Sequence, residues 1–196
     1  MFIVFEGLDG SGSTTQAKLL AERLEKSGRA TLLTKEPTDH SPIGKMIREI
    51  LQHKWSTSAE GLQLLFCADR AEHLKNTIEP ALNNHQIVIC DRYFLSTLAY
   101  GGMNVDIHWL KELNKFFIQP DLTFLLQLSP EKCLERIAGR GSDFELFEKK
   151  EKLEKIWSNY THLAGEFPNT ILLDADRSID EISSEIWDMV LKKLTP

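Results

Sequence analysis

The segment most able to do chemistry is the glycine-rich stretch GLDGSGST at residues 7–14. It nearly matches the phosphate-binding pattern G-x-x-x-x-G-K-[ST], with Gly7, Gly12 and Thr14 at their expected places. In such a loop, main-chain N–H groups and the N-terminus of the following helix surround an anion. The threonine hydroxyl can bind a magnesium ion that bridges nucleotide phosphates. The stretch therefore predicts a site for the phosphates of a nucleotide.

Ser13 departs from this pattern, because it occupies the position of the lysine. Its hydroxyl can hydrogen-bond a phosphate oxygen but brings no charge, and electrostatic stabilisation carries most of phosphoryl transfer. Another cation must therefore compensate if the protein is a catalyst. Lys18 would point about 140° around the helix from Ser13, so Lys35, Arg136 and Arg140 are the better candidates.

A second chemical pair, Asp91 and Arg92, ends the apolar run IVIC at residues 87–90. An acid at the end of a strand can hold the water shell of a magnesium ion. An arginine beside it can bind a phosphate through two N–H groups. Charged pairs are common at strand ends, so the pair alone would indicate a structural role. Following a phosphate loop and a helical interval, it favours a second phosphate and metal site.

Phe66 and Arg70 are four residues apart within a helical pattern and therefore share one helix face. An aromatic ring and a guanidinium on one face could stack on a nucleobase and hydrogen-bond its carbonyl edge. Amphipathic helices without any ligand often show the same spacing. The spacing by itself therefore favours packing over binding.

Five short apolar runs alternate with longer helical patterns along the chain. The runs cover residues 2–6, 30–34, 86–90, 122–128 and 170–174. The helical patterns cover residues 13–27, 43–53, 58–83, 130–138, 146–166 and 179–194. Pro80 is expected to bend or restart the third of these helices. This alternation predicts an α/β fold with a parallel sheet and helices on both faces.

Polar and glycine-rich segments follow four of the predicted strands: EGLDGSGSTT, KEPTDHS, DRYFLST and DADRS. Because the carboxyl ends of parallel strands meet at one edge of a sheet, ligands of such folds bind there. The four segments are therefore expected to converge on one site.

Composition excludes several other classes of protein. The chain has 196 residues and a net charge of −6, which argues against a nucleic-acid partner. Its three cysteines follow neither a metal-binding nor a disulfide spacing, as expected for a reducing compartment. The sequence shows no signal peptide and no run of about 20 apolar residues that could span a membrane. We therefore expect a cytoplasmic protein with no nucleic-acid or membrane partner.

Taken together, these segments resemble the thymidylate kinase family of P-loop nucleoside monophosphate kinases. The resemblance runs in order through FIVFEGLDGSG, KEP, LLFCADRAEH, DRYFLSTLAY, PDLTFLLQLSPEKCLERI and LLDADRSIDEI. It implies a three-layer P-loop fold with a five-stranded parallel sheet, as a single domain over residues 1–196, with a short mobile lid at about 136–148. It also implies a homodimer that uses Mg²⁺ to transfer the γ-phosphoryl of ATP to dTMP, giving dTDP and ADP.

The resemblance further assigns roles to individual residues. The dTMP site would comprise Asp9, Phe66, Arg70, Arg92, Ser96, Thr97 and Tyr100. The ATP site would comprise Gly7, Leu8, Asp9, Gly10, Ser11, Gly12, Ser13, Thr14, Thr15, Arg136 and Arg177. Magnesium would be held by Thr14 and Asp91, and the catalytic residues would be Asp9, Lys35, Arg92, Arg136 and Arg140. Within the dTMP site, Phe66 would stack on thymine, Arg70 would bond its carbonyl oxygen, and Tyr100 would select deoxyribose.

Several positions depart from the family pattern. Ser13 replaces lysine, Lys35 stands where arginine is usual, Gly101 follows Tyr100 where glutamine is frequent, and Leu146 lies where many lids read RFE. These changes affect the ATP side more than the dTMP pocket. Three alternatives therefore remain: a kinase for another deoxynucleotide, a non-catalytic nucleotide-binding protein, and a purely structural α/β domain.

Overall fold

The computed structural model describes residues 1–139 and 150–194, and its strands form a five-stranded, all-parallel sheet. The strands are β1 (Phe2–Gly7), β2 (Thr31–Lys35), β3 (Ile87–Asp91), β4 (Leu122–Gln127) and β5 (Thr170–Asp174). Their order in the sheet is β2-β3-β1-β4-β5. Each of the five predicted runs is a strand, with both ends within one residue of the prediction, and the predicted α/β fold is confirmed.

Nine α-helices are found among the described residues: α1 (Ser13–Lys26), α2 (Pro42–Leu51), α3 (Ala59–His73), α4 (Glu79–Asn83), α5 (Phe94–Gly101), α6 (Ile107–Asn114), α7 (Pro130–Ala138), α8 (Lys150–Ala164) and α9 (Ile179–Leu194). A π-helical turn, Leu74–Ile78, joins α3 to α4. Pro80 lies in the first turn of α4, so the predicted restart is confirmed. The expected start of α8 near residue 146 lies outside the described residues.

Helices α5 and α6 are absent from the sequence prediction. Seven of the eight residues of α5 are buried, so the segment is apolar around its whole circumference and shows no amphipathic period. Helix α6 has only eight residues, and Asp106 caps its N-terminus by accepting a hydrogen bond from the N–H of Trp109 at 2.9 Å. Short or fully buried helices of this kind lack the periodic signal on which a sequence prediction depends.

The central strands are covered on both faces. All six residues of β1 and all five of β3 are buried, as expected for parallel strands between two helix layers. Helix α1 packs against α9, and α5 packs against α6 and α8. The edge strands are less protected, since Leu33 of β2 and Leu172 of β5 are exposed. No helix among the described residues combines the length and the apolar character needed to cross a membrane.

Strand order decides which loops meet. Residue Phe5 of β1 pairs with Asp91 of β3, and Asp91 in turn pairs with Lys35 of β2. The phosphate-loop segment, the Lys35–Pro37 segment and the Asp91–Arg92 pair therefore leave neighbouring strands at the same edge of the sheet.

Candidate active site

The phosphate loop, residues 7–14, has a backbone that requires glycine at two positions. Gly10 has a φ of +86° and Gly12 a φ of +102°, both in the left-handed region. A Cβ atom on Gly10 would also lie only 2.6 Å from the carbonyl oxygen of Cys133. Gly12 leads into α1, whose first turn has neither a side-chain cap nor an acidic residue. The positive end of this helix is therefore open to an anion.

Arg136 of α7 lies across the phosphate loop, close to the position of the missing lysine. Its Nη1 atom donates to the carbonyl oxygen of Ser11 at 3.3 Å, and its Nη2 atom donates to that of Ala175 at 3.2 Å. A Cβ atom on Gly12 would lie 3.9 Å from Nη1. Ser13 itself begins α1 and is buried. The guanidinium of Arg136 thus brings a positive charge to the loop from a different helix.

The other candidate cations are placed differently. Lys35 forms an ion pair with Asp39, with Nζ 2.8 Å from Oδ2, and lines the same cavity as Thr14. Lys18 lines a neighbouring groove instead. Arg140 and residues 140–148 of the predicted lid lie outside the described residues.

Thr14 and Asp91 are in direct contact. The Thr14 hydroxyl donates to Oδ2 of Asp91 at 2.5 Å. The other carboxylate oxygen, Oδ1, is buried and has no hydrogen-bond partner within the described part of the chain. A hydroxyl beside a carboxylate with a free oxygen is a donor set that suits Mg²⁺, which prefers oxygen ligands. The two residues predicted to hold magnesium therefore fit that ion.

Arg92 and Asp9 form the centre of a second network. Nη2 of Arg92 lies 2.6 Å from Oδ1 of Asp9, and the Tyr100 hydroxyl donates to Oδ2 of Asp9 at 2.9 Å. Nη1 of Arg92 donates to the Gly7 carbonyl oxygen at 2.9 Å and to Oγ of Ser96 at 3.1 Å. Burial lowers the pKa of Arg92, but Tyr100 and Asp9 outweigh burial and raise that pKa well above its ordinary value. The guanidinium is therefore a permanent positive charge at the carboxyl ends of the strands.

Arg70 is almost completely buried, with 1% of its surface exposed. Nε donates to Oε2 of Glu36 at 2.9 Å, Nη1 to Oδ1 of Asn114 at 2.5 Å, and Nη2 to Oγ1 of Thr97 at 3.0 Å. The Glu36 carboxylate also lies 3.1 Å from Nδ1 of His73. Burial lowers the pKa of Arg70, yet the Glu36 charge raises it above its ordinary value. Arg70 is thus held rigidly as a charged group.

A cavity of about 230 Å³ joins these groups. Asp9, Thr14, Asp91 and Arg92 line one part of it. Its remaining wall is formed by side chains of α3, α5 and the segments around them. These are Lys35, Glu36, Pro37, Arg48, Leu51, Gln63, Phe66, Arg70, Tyr93, Ser96, Thr97 and Tyr100. The structure therefore brings Phe66 and Arg70, whose spacing alone favoured packing, to the same cavity as the candidate phosphate-binding arginine.

Another pocket, of about 420 Å³, is lined by Gly10, Ser11 and Gly12 of the phosphate loop. Leu126, Ile179 and Ile182 give it an apolar lining, and Arg136 and Arg177 contribute guanidinium groups. Nε of Arg177 donates to the carbonyl oxygen of Asp174 at 3.1 Å. Different residues of the phosphate loop thus line the two pockets, and each pocket contains predicted site residues.

The sequence prediction missed Glu6, Arg48 and Gln63. Glu6 is fully buried and accepts hydrogen bonds from the N–H groups of Tyr93 at 2.9 Å and Ser96 at 3.1 Å, so it fixes the start of α5. Burial raises the pKa of Glu6 from 4.5 to about 7, although the Ser96 hydrogen bond and the Arg92 charge oppose that shift. Arg48 and Gln63 line the 230 Å³ cavity. No local pattern distinguishes these three residues from ordinary charged or polar positions.

Comparison with known proteins identifies one family along most of the chain. A sequence model of the family described as Thymidylate kinase matches residues 5–186. The chain belongs to the thymidylate kinase family. It is 47% identical to a "Probable thymidylate kinase" of Pyrococcus horikoshii over 199 residues, which cover 98% of this chain and 97% of that protein.

Two further relatives with thymidylate kinase names are somewhat less similar to this chain. The chain is 41% identical to a "Probable thymidylate kinase" of Methanocaldococcus jannaschii, covering 95% of this chain and 93% of that protein. It is 39% identical to a "Thymidylate kinase" of Desulfotalea psychrophila, covering 94% and 91%. The thymidylate kinase resemblance inferred from the sequence motifs is therefore confirmed.

Proposed function

We propose that this protein is a thymidylate kinase, which transfers the γ-phosphoryl group of ATP to dTMP and releases dTDP and ADP. One observation carries the proposal. A single cavity at the carboxyl ends of β1, β2 and β3 contains the Thr14–Asp91 pair, Arg92, and the Phe66–Arg70 face of α3. A site that only bound ATP would not need the last three residues beside the phosphate loop. The names of the relatives support the same activity.

ATP would bind to the phosphate loop. The residues that would contact it are Gly7, Leu8, Asp9, Gly10, Ser11, Gly12, Ser13, Thr14, Thr15, Arg136 and Arg177. Main-chain N–H groups and the N-terminus of α1 would surround the phosphates. The 420 Å³ pocket, in which Leu126, Ile179 and Ile182 lie with Arg177, offers a place for adenine.

The acceptor dTMP would occupy the 230 Å³ cavity. Arg92 would bind its phosphate, Phe66 would stack on the base, and Arg70 would hydrogen-bond a base carbonyl oxygen. Asp9 and Tyr100, which already hydrogen-bond each other, would face the sugar. Ser96 and Thr97 would complete the wall. Because Arg92 is held by Asp9 of the phosphate loop, the acceptor phosphate would be positioned relative to the donor.

The reaction would be a direct in-line transfer without a covalent intermediate, since phosphoryl transfer depends mainly on positioning and charge neutralisation. Thr14 and Asp91 would hold Mg²⁺, which supplies positive charge to the phosphate oxygens. Arg92, Lys35 and Arg136 would neutralise the negative charge of the transferring group. Arg140 is a further candidate cation, in the lid proposed for residues 136–148. Asp9 would orient Arg92.

An ADP-release assay with Mg²⁺, ATP and a panel of acceptors tests the proposal. We expect dTMP to give the highest kcat/KM, ahead of dCMP, dGMP and thymidine. Mg²⁺-dependent ATP binding without any ADP release would instead indicate the non-catalytic nucleotide-binding alternative that Ser13 suggests. A higher kcat/KM for another monophosphate would indicate a different nucleotide kinase.

The family resemblance also supports three further proposals: a single kinase domain over residues 1–196, a homodimer, and a cytoplasmic location. Sedimentation velocity of the purified protein tests the dimer. A mass equal to one chain at micromolar concentration would contradict it.

A further inference from the structure

Gln63 is a buried polar side chain in the second turn of α3, with 4% of its surface exposed. Its amide oxygen Oε1 is buried and has no hydrogen-bond partner among residues 1–139 and 150–194. Buried polar groups in folded proteins are nearly always hydrogen-bonded, so an unpaired one needs a reason. The side chain lines the 230 Å³ cavity proposed for dTMP. A ligand in this cavity is therefore the natural partner of the amide.

Gln63 shares a helix face with the two residues proposed to hold the base. Gln63, Phe66 and Arg70 follow the i, i+3, i+7 spacing of one face of α3. All three line the same cavity. A planar ring stacked on Phe66 would therefore lie near both the Gln63 amide and the Arg70 guanidinium, which line the same cavity.

Gly101 of α5 leaves the space that the Gln63 amide occupies. A Cβ atom on Gly101 would lie 2.7 Å from Oε1 and 2.8 Å from Cδ of Gln63, closer than side-chain carbons approach other atoms. The position is helical and has no positive φ, so its backbone does not itself require glycine. The missing side chain at Gly101 therefore serves to admit the amide of Gln63.

We infer that Gln63 recognises the hydrogen-bonding edge of the thymine base. Its amide oxygen accepts the N3–H proton, and its amide nitrogen donates to a neighbouring carbonyl oxygen of the base. Arg70 is only a donor, so it requires a carbonyl oxygen at the same edge. Thymine presents N3–H between two carbonyl oxygens, whereas cytosine presents an unprotonated N3 and an amino group. This role rests on the proposed function, since it takes dTMP as the substrate.

The test uses Gln63→Ala, with the exposed Gln52→Ala as its matched control. Calorimetry measures the binding of dTMP and of N3-methyl-dTMP, which lacks the N3 proton and carries a methyl group in its place. Loss of the hydrogen bonds should weaken dTMP binding about 10-fold. The space left by the shorter side chain should at the same time strengthen binding of the N3-methyl compound. The preference for dTMP should therefore fall more than 10-fold, while Gln52→Ala leaves it unchanged.

Two further measurements distinguish a failure of the Gln63 role from a failure of the proposed function. Unchanged ATP binding would show that Gln63→Ala is folded. An unchanged preference between the two ligands in that folded variant would overturn the role of Gln63. Lack of ADP release by the wild-type protein with dTMP would overturn the proposed function instead, so the two failures are distinguishable.

Gly101→Ala provides a second variant, because its new Cβ must displace the Gln63 amide. We expect it to weaken dTMP binding in the wild-type background but to have no further effect when added to Gln63→Ala. Independent, multiplying effects of the two substitutions would contradict the steric link between Gly101 and Gln63.

Discussion

Nη2 of Arg92 lies 2.6 Å from Oδ1 of Asp9, although the two residues are 83 positions apart in the chain. Asp9 belongs to the phosphate loop after β1, and Arg92 follows the neighbouring strand β3. Arg92 adopts a φ of +71°, which costs a residue other than glycine about 1–2 kcal/mol. Its N–H donates to the Phe5 carbonyl oxygen at 2.8 Å, and its side chain turns back over the loop. The pair thus links the proposed donor and acceptor sites.

Replacing Arg92 by alanine is expected to remove activity without unfolding the protein. The variant loses the charge proposed to bind the dTMP phosphate, so kcat/KM for dTMP should fall by at least about 100-fold. Alanine meets the same backbone strain as arginine, and the side chain is partly exposed, so the fold should persist. The ADP-release assay measures the first effect and circular dichroism the second. Arg29→Ala, which removes an arginine outside the site, is the control, and near-normal turnover of Arg92→Ala would refute the assigned role.

Substituting Asp91 by asparagine should weaken the dependence of activity on magnesium. The amide can still accept the Thr14 hydrogen bond, but it no longer carries the negative charge that attracts the ion. We expect the Mg²⁺ concentration for half-maximal activity to rise about 10- to 100-fold. Titration of ADP release with MgCl₂ measures this shift. The exposed Asp188→Asn serves as the control, and an identical titration curve for both variants would exclude Asp91 from the metal site.

Arg136 is expected to supply the charge that Ser13 lacks. Arg136→Met keeps the aliphatic stem and removes the guanidinium beside the Ser11 carbonyl oxygen, so kcat should fall about 100- to 1,000-fold. Adding Ser13→Lys to this variant should raise kcat at least about 10-fold above that of Arg136→Met, because a positive charge returns to the usual lysine position of such loops. Single-turnover kinetics measures both steps.

Lys35→Met tests whether Lys35, rather than Arg136, compensates for the missing lysine of the phosphate loop. If Lys35→Met loses kcat while Arg136→Met retains it, the compensating cation is Lys35. Rescue by Ser13→Lys separates the loss of charge from any loss of the structural contacts that Arg136 makes.

The buried Glu6 carboxyl should make stability depend on pH. Its pKa is about 7 in the folded protein because burial disfavours the charge, against 4.5 without that burial. The folded state therefore binds more protons than the unfolded state between these values. The resulting stabilisation is present at low pH and is lost as the pH rises through 7, by an amount on the order of 3 kcal/mol.

Glu6→Gln removes the ionisation and keeps an acceptor for the N–H groups of Tyr93 and Ser96. The free energy of unfolding of this variant, relative to the wild type, should therefore increase from pH 5 to pH 8. Urea unfolding at several pH values measures the difference, with the exposed Glu25→Gln as the control. A constant difference across this range would mean that Glu6 does not titrate there.

The strands and the phosphate loop could be predicted because their signals are local. Apolar runs bounded by glycine and polar residues located all five strands, and the parallel arrangement followed from their alternation with helices. The spacing of Gly7, Gly12 and Thr14 indicated the loop without knowledge of any distant residue. Helix α5 was not predicted, because its sequence, buried on nearly all sides, lacks an amphipathic period.

The sequence by itself thus determined the order of elements, the edge of the sheet where ligands bind, and the kinds of chemical groups found there. Only the tertiary structure decided which groups meet. Because β3 lies beside β1, Arg92 contacts Asp9. Because α7 packs against the phosphate loop, the Arg136 guanidinium lies near Ser13, which lacks the usual charge. Gln63 and Gly101 likewise become neighbours only when α3 packs on α5. These approaches depend on strand order and side-chain packing over long separations, which local periodicity does not encode.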